Sequence, residues 1–202
     1  MKKHILCLGD SNTHGYCADP NDCADHGIRF NEDERWTCRL QKALGDEYLV
    51  TEEGLSGRTT VFVDPIHESM DALSVIYALL KSHEVIDLLI IMLGTNDNGM
   101  NTEDFISNYT ALVQAIQEAY PYTDIIVNTV PPIPENHSNY PHMDQAKIDD
   151  MNMALLSMCE QLGLKFLNTA ETLKGDDGYG KADYYTSGDI HLKSAGLKAA
   201  LN

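Results

Sequence analysis

Short, nearly unbroken apolar runs alternate along this chain with stretches whose apolar residues recur every three or four positions. Residues 4–8, 48–52, 86–93, 124–130 and 165–168 read as strands. The third lies within VIDLLIIML, which is apolar almost throughout, as expected of a central strand buried on both faces. Phe105, Ile106, Tyr109, Leu112, Val113 and Ile116 follow a cap at Asn101 or Thr102 and predict an amphipathic helix. Ile148, Met151, Leu155, Met158 and Leu162 repeat that pattern and stop at Gly163, a residue suited to ending a helix. Shorter helices are expected over residues 35–44, over 70–81 and from 194 onward. Strands alternating with helices predict an α/β fold with a parallel sheet covered on both faces.

No internal repeat, low-complexity tract or linker divides the 202 residues, so a single domain over 1–202 is expected, long enough to bury a real core. Thirty-one acidic residues against 14 basic ones disfavour nucleic acid and anionic lipid surfaces as partners. No stretch approaches the roughly 20 apolar residues that cross a bilayer. The opening MKK is followed by apolar residues only from 5 to 8 before Gly9 and Asp10 intervene, too short a run for a signal peptide, and a cytoplasmic location is expected. Five cysteines, at 7, 17, 23, 38 and 159, show no CxxC spacing and read as reduced thiols; Cys17 and Cys23 are the pair that export would join.

Chemistry gathers where the strands end. The run LGDSNTHG, residues 8–15, sets Ser11 just beyond the first strand, and reacting groups in open α/β sheets collect at the carboxyl ends of strands. Alone, a GDS turn is better explained by a helix-capping serine. Later strand ends change that balance: GLSGRTT (54–60) offers the backbone N–H of Gly57, GTNDN (94–98) the amide of Asn96, and SGDIHL (187–192) the imidazole of His191. Acyl transfer needs a hydroxyl nucleophile, a base for its proton, and donors for the oxygen that becomes negative. These four residues supply that set.

In this order, GDSN, GLSG, GTND and a late histidine resemble the SGNH, or GDSL, hydrolase family, whose name-giving residues match Ser11, Gly57, Asn96 and His191. RFNEDERWTCRL at 29–40 and EEGLSGRTT at 52–60 are similar to its arylesterase and acyltransferase branch. The resemblance implies a flavodoxin-like three-layer α/β/α sandwich around about five parallel strands, with serine esterase chemistry and no cofactor. It places the nucleophile in the GDS turn rather than in a GxSxG elbow, which this chain lacks. It also implies an oxyanion hole made of the Ser11 and Gly57 backbone N–H groups and the Asn96 amide, with His191 as base and then acid.

One element departs from the family pattern. The acid normally stands three residues before the histidine, yet position 188 is glycine and the aspartate is Asp189. Asp189 reaching His191 through a tighter turn is the favoured reading; a backbone carbonyl in a Ser–His dyad, or Asp183 from upstream, are the alternatives.

Other polar residues take plainer readings. Asp10 and Asp97 are expected to bond to turn backbone, Trp36 to sit in the core, and Tyr184 and Tyr185 are given no role. His14, Cys17, Asp19, Asp22, Cys23, Asp25 and His26 crowd one segment but fit no zinc spacing, so no metal is expected. Loops at 17–30, 61–70 and 131–145 are expected to wall the pocket.

The expected function is a serine esterase acting on small aryl or short-chain esters through an acyl-enzyme on Ser11, with acyl transfer to alcohols open beside hydrolysis. Deacetylation of acetylated sugars is the runner-up. A flavodoxin-like ligand-binding module is the non-enzymatic reading, weakened by the lack of a phosphate-binding loop. The expected partner is a small-molecule ester, and self-association is expected because oligomers are common in that branch.

Overall fold

A computed structural model describes residues 2–61, 70–83 and 85–201. The elements run β1 (Lys3–Gly9), α1 (Ser11–His14), α2 (Trp36–Leu44), β2 (Tyr48–Gly54), α3 (Ala72–Lys81), β3 (Leu88–Met92), α4 (Thr102–Ala119), β4 (Asp124–Asn128), α5 (Gln145–Leu162), β5 (Lys165–Leu167), α6 (Ala170–Leu173) and α7 (Ser194–Ala199). All pairings between the five strands are parallel, in the order β2-β1-β3-β4-β5, with β3 at the centre. That order is the flavodoxin-like one, and its switch point lies between β1 and β3.

Period-two alternation sends successive side chains of each strand to opposite faces. Leu6 and Leu8 of β1 join Leu89 and Ile91 of β3 beneath α3, α4 and α5, where Ile76, Leu112 and Leu155 close one core. Ile5 and Cys7 join Ile90 and Met92 on the other face, against Trp36 of α2 and Leu197 of α7. Truncating any of the fully buried leucines to alanine would cost about 2–5 kcal/mol.

Several boundaries differ from the sequence-based expectation, each for a local reason. The third strand spans Leu88–Met92 rather than 86–93; just ahead of it Asp87 binds His4 through both its N–H, which donates to His4 O at 2.9 Å, and its carboxylate, which accepts from His4 N at 2.7 Å. The fourth stops at Asn128 rather than 130, since Asn152 of α5 takes both backbone groups of Val130 at 2.8 and 3.0 Å. The second runs on to Gly54, paired with Gly9. Helix α5 starts at Gln145, ahead of its first apolar position, because Asp144 caps it by accepting from Ala146 N at 2.9 Å.

Candidate active site

Three strand-end segments meet at the β1/β3 edge and are tied to one another. Asp10 caps α1 by accepting from Asn12 N at 3.0 Å, which makes Ser11 the first helical residue. Leu55 N and the Arg58 guanidinium both donate to the Gly9 carbonyl, at 3.1 and 3.2 Å. Gly57 turns the chain at φ +82°, where Arg58 N bonds back to Leu55 O at 3.0 Å, and a Cβ there would lie 2.8 Å from the Met70 methyl. Only glycine meets both demands without strain. Asn96 donates one amide hydrogen to Arg58 O at 2.9 Å and carries a second. Asp97 accepts from the Thr60 hydroxyl at 2.7 Å and from the Thr60 N–H, fastening the second strand end to the third. Among the described residues, no hydrogen bond engages the backbone N–H of Ser11 or of Gly57.

Both carboxyls at this edge are lifted by burial. Asp10 is pushed up to about 6, against the opposing pull of the Asn12 N–H and the nearby His191 imidazole. Burial raises Asp97 too, and its bonds to Thr60 draw it only part of the way back.

His191 arrives on a loop closed by a single bridge between Tyr185 and Leu192. Within it, Asp189 N bonds to Thr186 O at 3.0 Å, and Gly188 sits at φ +74°, the left-handed third position of a type II turn. That turn brings Asp189 back over its own successors. Its Oδ1 accepts from Ile190 N at 2.7 Å, from His191 N at 3.0 Å and from His191 Nδ1 at 2.6 Å. Asp183, in contrast, is exposed on a short turn at Ala182–Tyr184. Burial pushes Asp189 up, but the His191 ring bond, the imidazole's charge, the His191 backbone N–H and the Asn139 amide outweigh it and hold the carboxyl below its ordinary value. A proton on Nδ1 answers this carboxylate and leaves Nε2 as an acceptor.

Ser11, Gly57, Asn96 and His191 all line one cleft of about 430 Å³. A larger hollow of about 540 Å³ beside Asp149 and Lys174 contains none of them, so volume alone misdirects here. Tyr16 and Tyr140 were not singled out from the sequence, yet both face the cleft and meet the His191 ring edge-on, with centroids 4.7 and 5.8 Å away. The proline-containing loop after β4 was the available signal for Tyr140. Tyr185 is buried and bonds to the Pro132 carbonyl instead. Of the expected walls, residues 62–69 lie outside the described residues, and Met70 borders them at the cleft.

All five cysteines are free. Among the described residues, no group of three or more His, Cys, Asp and Glu is placed to hold a metal ion, and no helix is long and apolar enough to cross a membrane. The cleft thus gathers a hydroxyl, an imidazole backed by a carboxylate, two backbone N–H groups and an amide, the groups that acyl transfer requires.

Comparison with known proteins agrees with that chemistry. Over 98% of its length the chain is similar to the aryl esterase of M. Smegmatis, covering 94% of that chain at 28% identity and a TM-score of 0.81. A carbohydrate acetylesterase from Sinorhizobium meliloti is matched over the same shares, at 25% identity and a TM-score of 0.82. No curated protein matches by sequence. Residues 7–199 match the model of the GDSL-like lipase/acylhydrolase family, and the chain belongs to that family of serine hydrolases.

Proposed function

We propose that the protein hydrolyses small carboxylic esters through an acyl-enzyme on Ser11, with His191 as general base and Asp189 as its orienting acid. The observation that carries this reading is the 2.6 Å bond from His191 Nδ1 to Asp189 beside the cleft that Ser11 lines. Ionised Asp189 fixes the tautomer, so Nε2 takes the Ser11 proton as Oγ attacks the ester carbonyl. Charge then develops on the carbonyl oxygen, which receives the N–H groups of Ser11 and Gly57 and the Asn96 amide. Each such donor is worth about 10²- to 10³-fold in turnover. His191 returns the proton to the departing alcohol, and water attacks the acyl-enzyme by the same route in reverse. An alcohol in place of water would give acyl transfer from the same intermediate.

A fluorophosphonate probe tests the assignment: wild type labels, and Ser11→Ala does not. Labelling that persists in Ser11→Ala sinks it. Deacetylation of acetylated sugars is the second reading. It is supported by the polar Ser56 and Thr59 in the cleft, by the two tyrosine rings flanking His191, and by the likeness to the Sinorhizobium meliloti acetylesterase. Turnover of an aryl acetate against acetylated xylan separates the two.

A further inference from the structure

Ser11 and His191 lie 180 residues apart and share no secondary structure, so something must fix their separation. The His191–Leu192 peptide is held at both ends. Its carbonyl accepts from Thr186 N at 3.2 Å, inside its own loop, whereas its N–H donates to Asn12 Oδ1 at 3.3 Å. Asn12 follows Ser11 on α1. Successive helical residues point about 100° apart, so one turn can present Ser11 to the cleft and Asn12 to the histidine loop. Asn12 is 5% exposed and does not line the cleft, and its own N–H is held by Asp10. Among the described residues, this is the one hydrogen bond joining α1 to the loop of His191. The other side-chain ties of that loop, from Thr186 to Asp22 and from Asn139 to Asp189, reach different segments.

We propose that Asn12 is a positioning residue that sets the distance between Ser11 and His191 by gripping the histidine's own peptide from the nucleophile's helix. This rests on the assignment of Ser11 as nucleophile and His191 as base. The leucine that gives the GDSL family its final letter has no acceptor to offer that N–H.

The test compares Asn12→Leu, which keeps bulk and loses the acceptor, with Asn12→Asp, which keeps an acceptor oxygen. A displacement of the base by an ångström costs on the order of 100-fold, so Asn12→Leu should lower kcat on phenyl acetate by about 10- to 100-fold. KM should stay within about twofold, and fluorophosphonate labelling of Ser11 should slow in step with kcat. Asn12→Asp should retain kcat within about fivefold. Asn12→Ala carries the same readout if the leucine variant does not fold. Wild-type kcat in the variant lacking the acceptor, a loss carried by KM, or an Asn12→Asp variant as slow as Asn12→Leu would overturn the proposal. Activity or labelling surviving in Ser11→Ala would instead overturn the nucleophile assignment beneath it.

Discussion

Ser11 stands two residues beyond a strand paired along both edges, whereas His191 stands on a loop that pairs with no strand of the sheet. The two segments face one cleft but are held by different kinds of bond. Around Ser11 the backbone ladder of β1 and a capped helical turn share the load. The loop of His191 is closed by its own backbone bonds and tied to other segments at single points: Asn12 to the Leu192 N–H, Asp22 to Thr186, and Asn139 N to the Gly188 carbonyl at 2.8 Å. Their acids diverge as well. Asp10 is raised because burial wins, and Asp189 is lowered because its hydrogen bonds win. The strand under Ser11 loses one bond among many, whereas, among the described residues, the tie between α1 and the loop of His191 is a single side-chain bond.

The largest effect is expected at the proposed nucleophile. Ser11→Ala should reduce kcat by about 10⁴-fold or more without loss of cooperative melting, as removal of a triad nucleophile does elsewhere; aryl acetate turnover within tenfold of wild type would break the comparison at its root. Asp189→Asn comes next, with a fall of roughly 10⁴-fold in kcat because the imidazole loses its fixed tautomer. Asp183→Asn, exposed and distant in its bonding, should stay within about twofold. The reverse ranking of these two variants would move the supporting acid to Asp183.

Asn96→Ala should lower kcat by about 10²- to 10³-fold while Asp97 still ties Thr60 to the same turn and the melting temperature holds. The smallest effect distinguishes the two acids through stability. Asp10 binds its proton more tightly folded than unfolded, so its contribution is fully present below about pH 4 and is lost as pH rises through about 6. Ionisation there costs roughly 3 kcal/mol at neutral pH, about 100-fold in the folding equilibrium. Asp10→Asn keeps a good cap and should raise the melting temperature at pH 7 more than at pH 4. Asp189 has the opposite sign: its stabilisation is present above the unfolded carboxylate range and is lost as pH falls. Melting curves of Asp10→Asn and Asp189→Asn across pH 3–8 would show both, and parallel shifts would erase the contrast.

The same division governs what the sequence disclosed. VIDLLIIML and the steps from Phe105 to Ile116 are periodic over many residues, so the sheet centre and α4 were readable with little ambiguity. Ser11, Gly57 and Asn96 stood out because each follows a strand end, and strand ends of a parallel sheet converge; His191 follows no strand and stood out as the late histidine of the motif order. Helix α1 was not readable, since four residues carry no period. Asn12 lies inside the GDSN block, but its partner is the backbone of Leu192, and a backbone donor leaves no trace in sequence. The identity of the residue beside His191 depended on the left-handed conformation of Gly188, a property of one dihedral angle. Tyr16 and Tyr140 depended on loop conformations that no local pattern specifies.

The separation of 180 positions between Asn12 and Leu192 also sets a schedule. A ribosome adding about 5–20 residues per second delivers Ser11 roughly 10–40 s before His191. By the end of that interval the nascent chain holds the proposed nucleophile and the proposed oxyanion donors Gly57 and Asn96 but still lacks the proposed base, and the loop of His191 is made after the sheet edge it docks on. Ester turnover during synthesis should therefore switch on as one of the latest steps in forming the native state, which makes it a clock for the closing stage of folding.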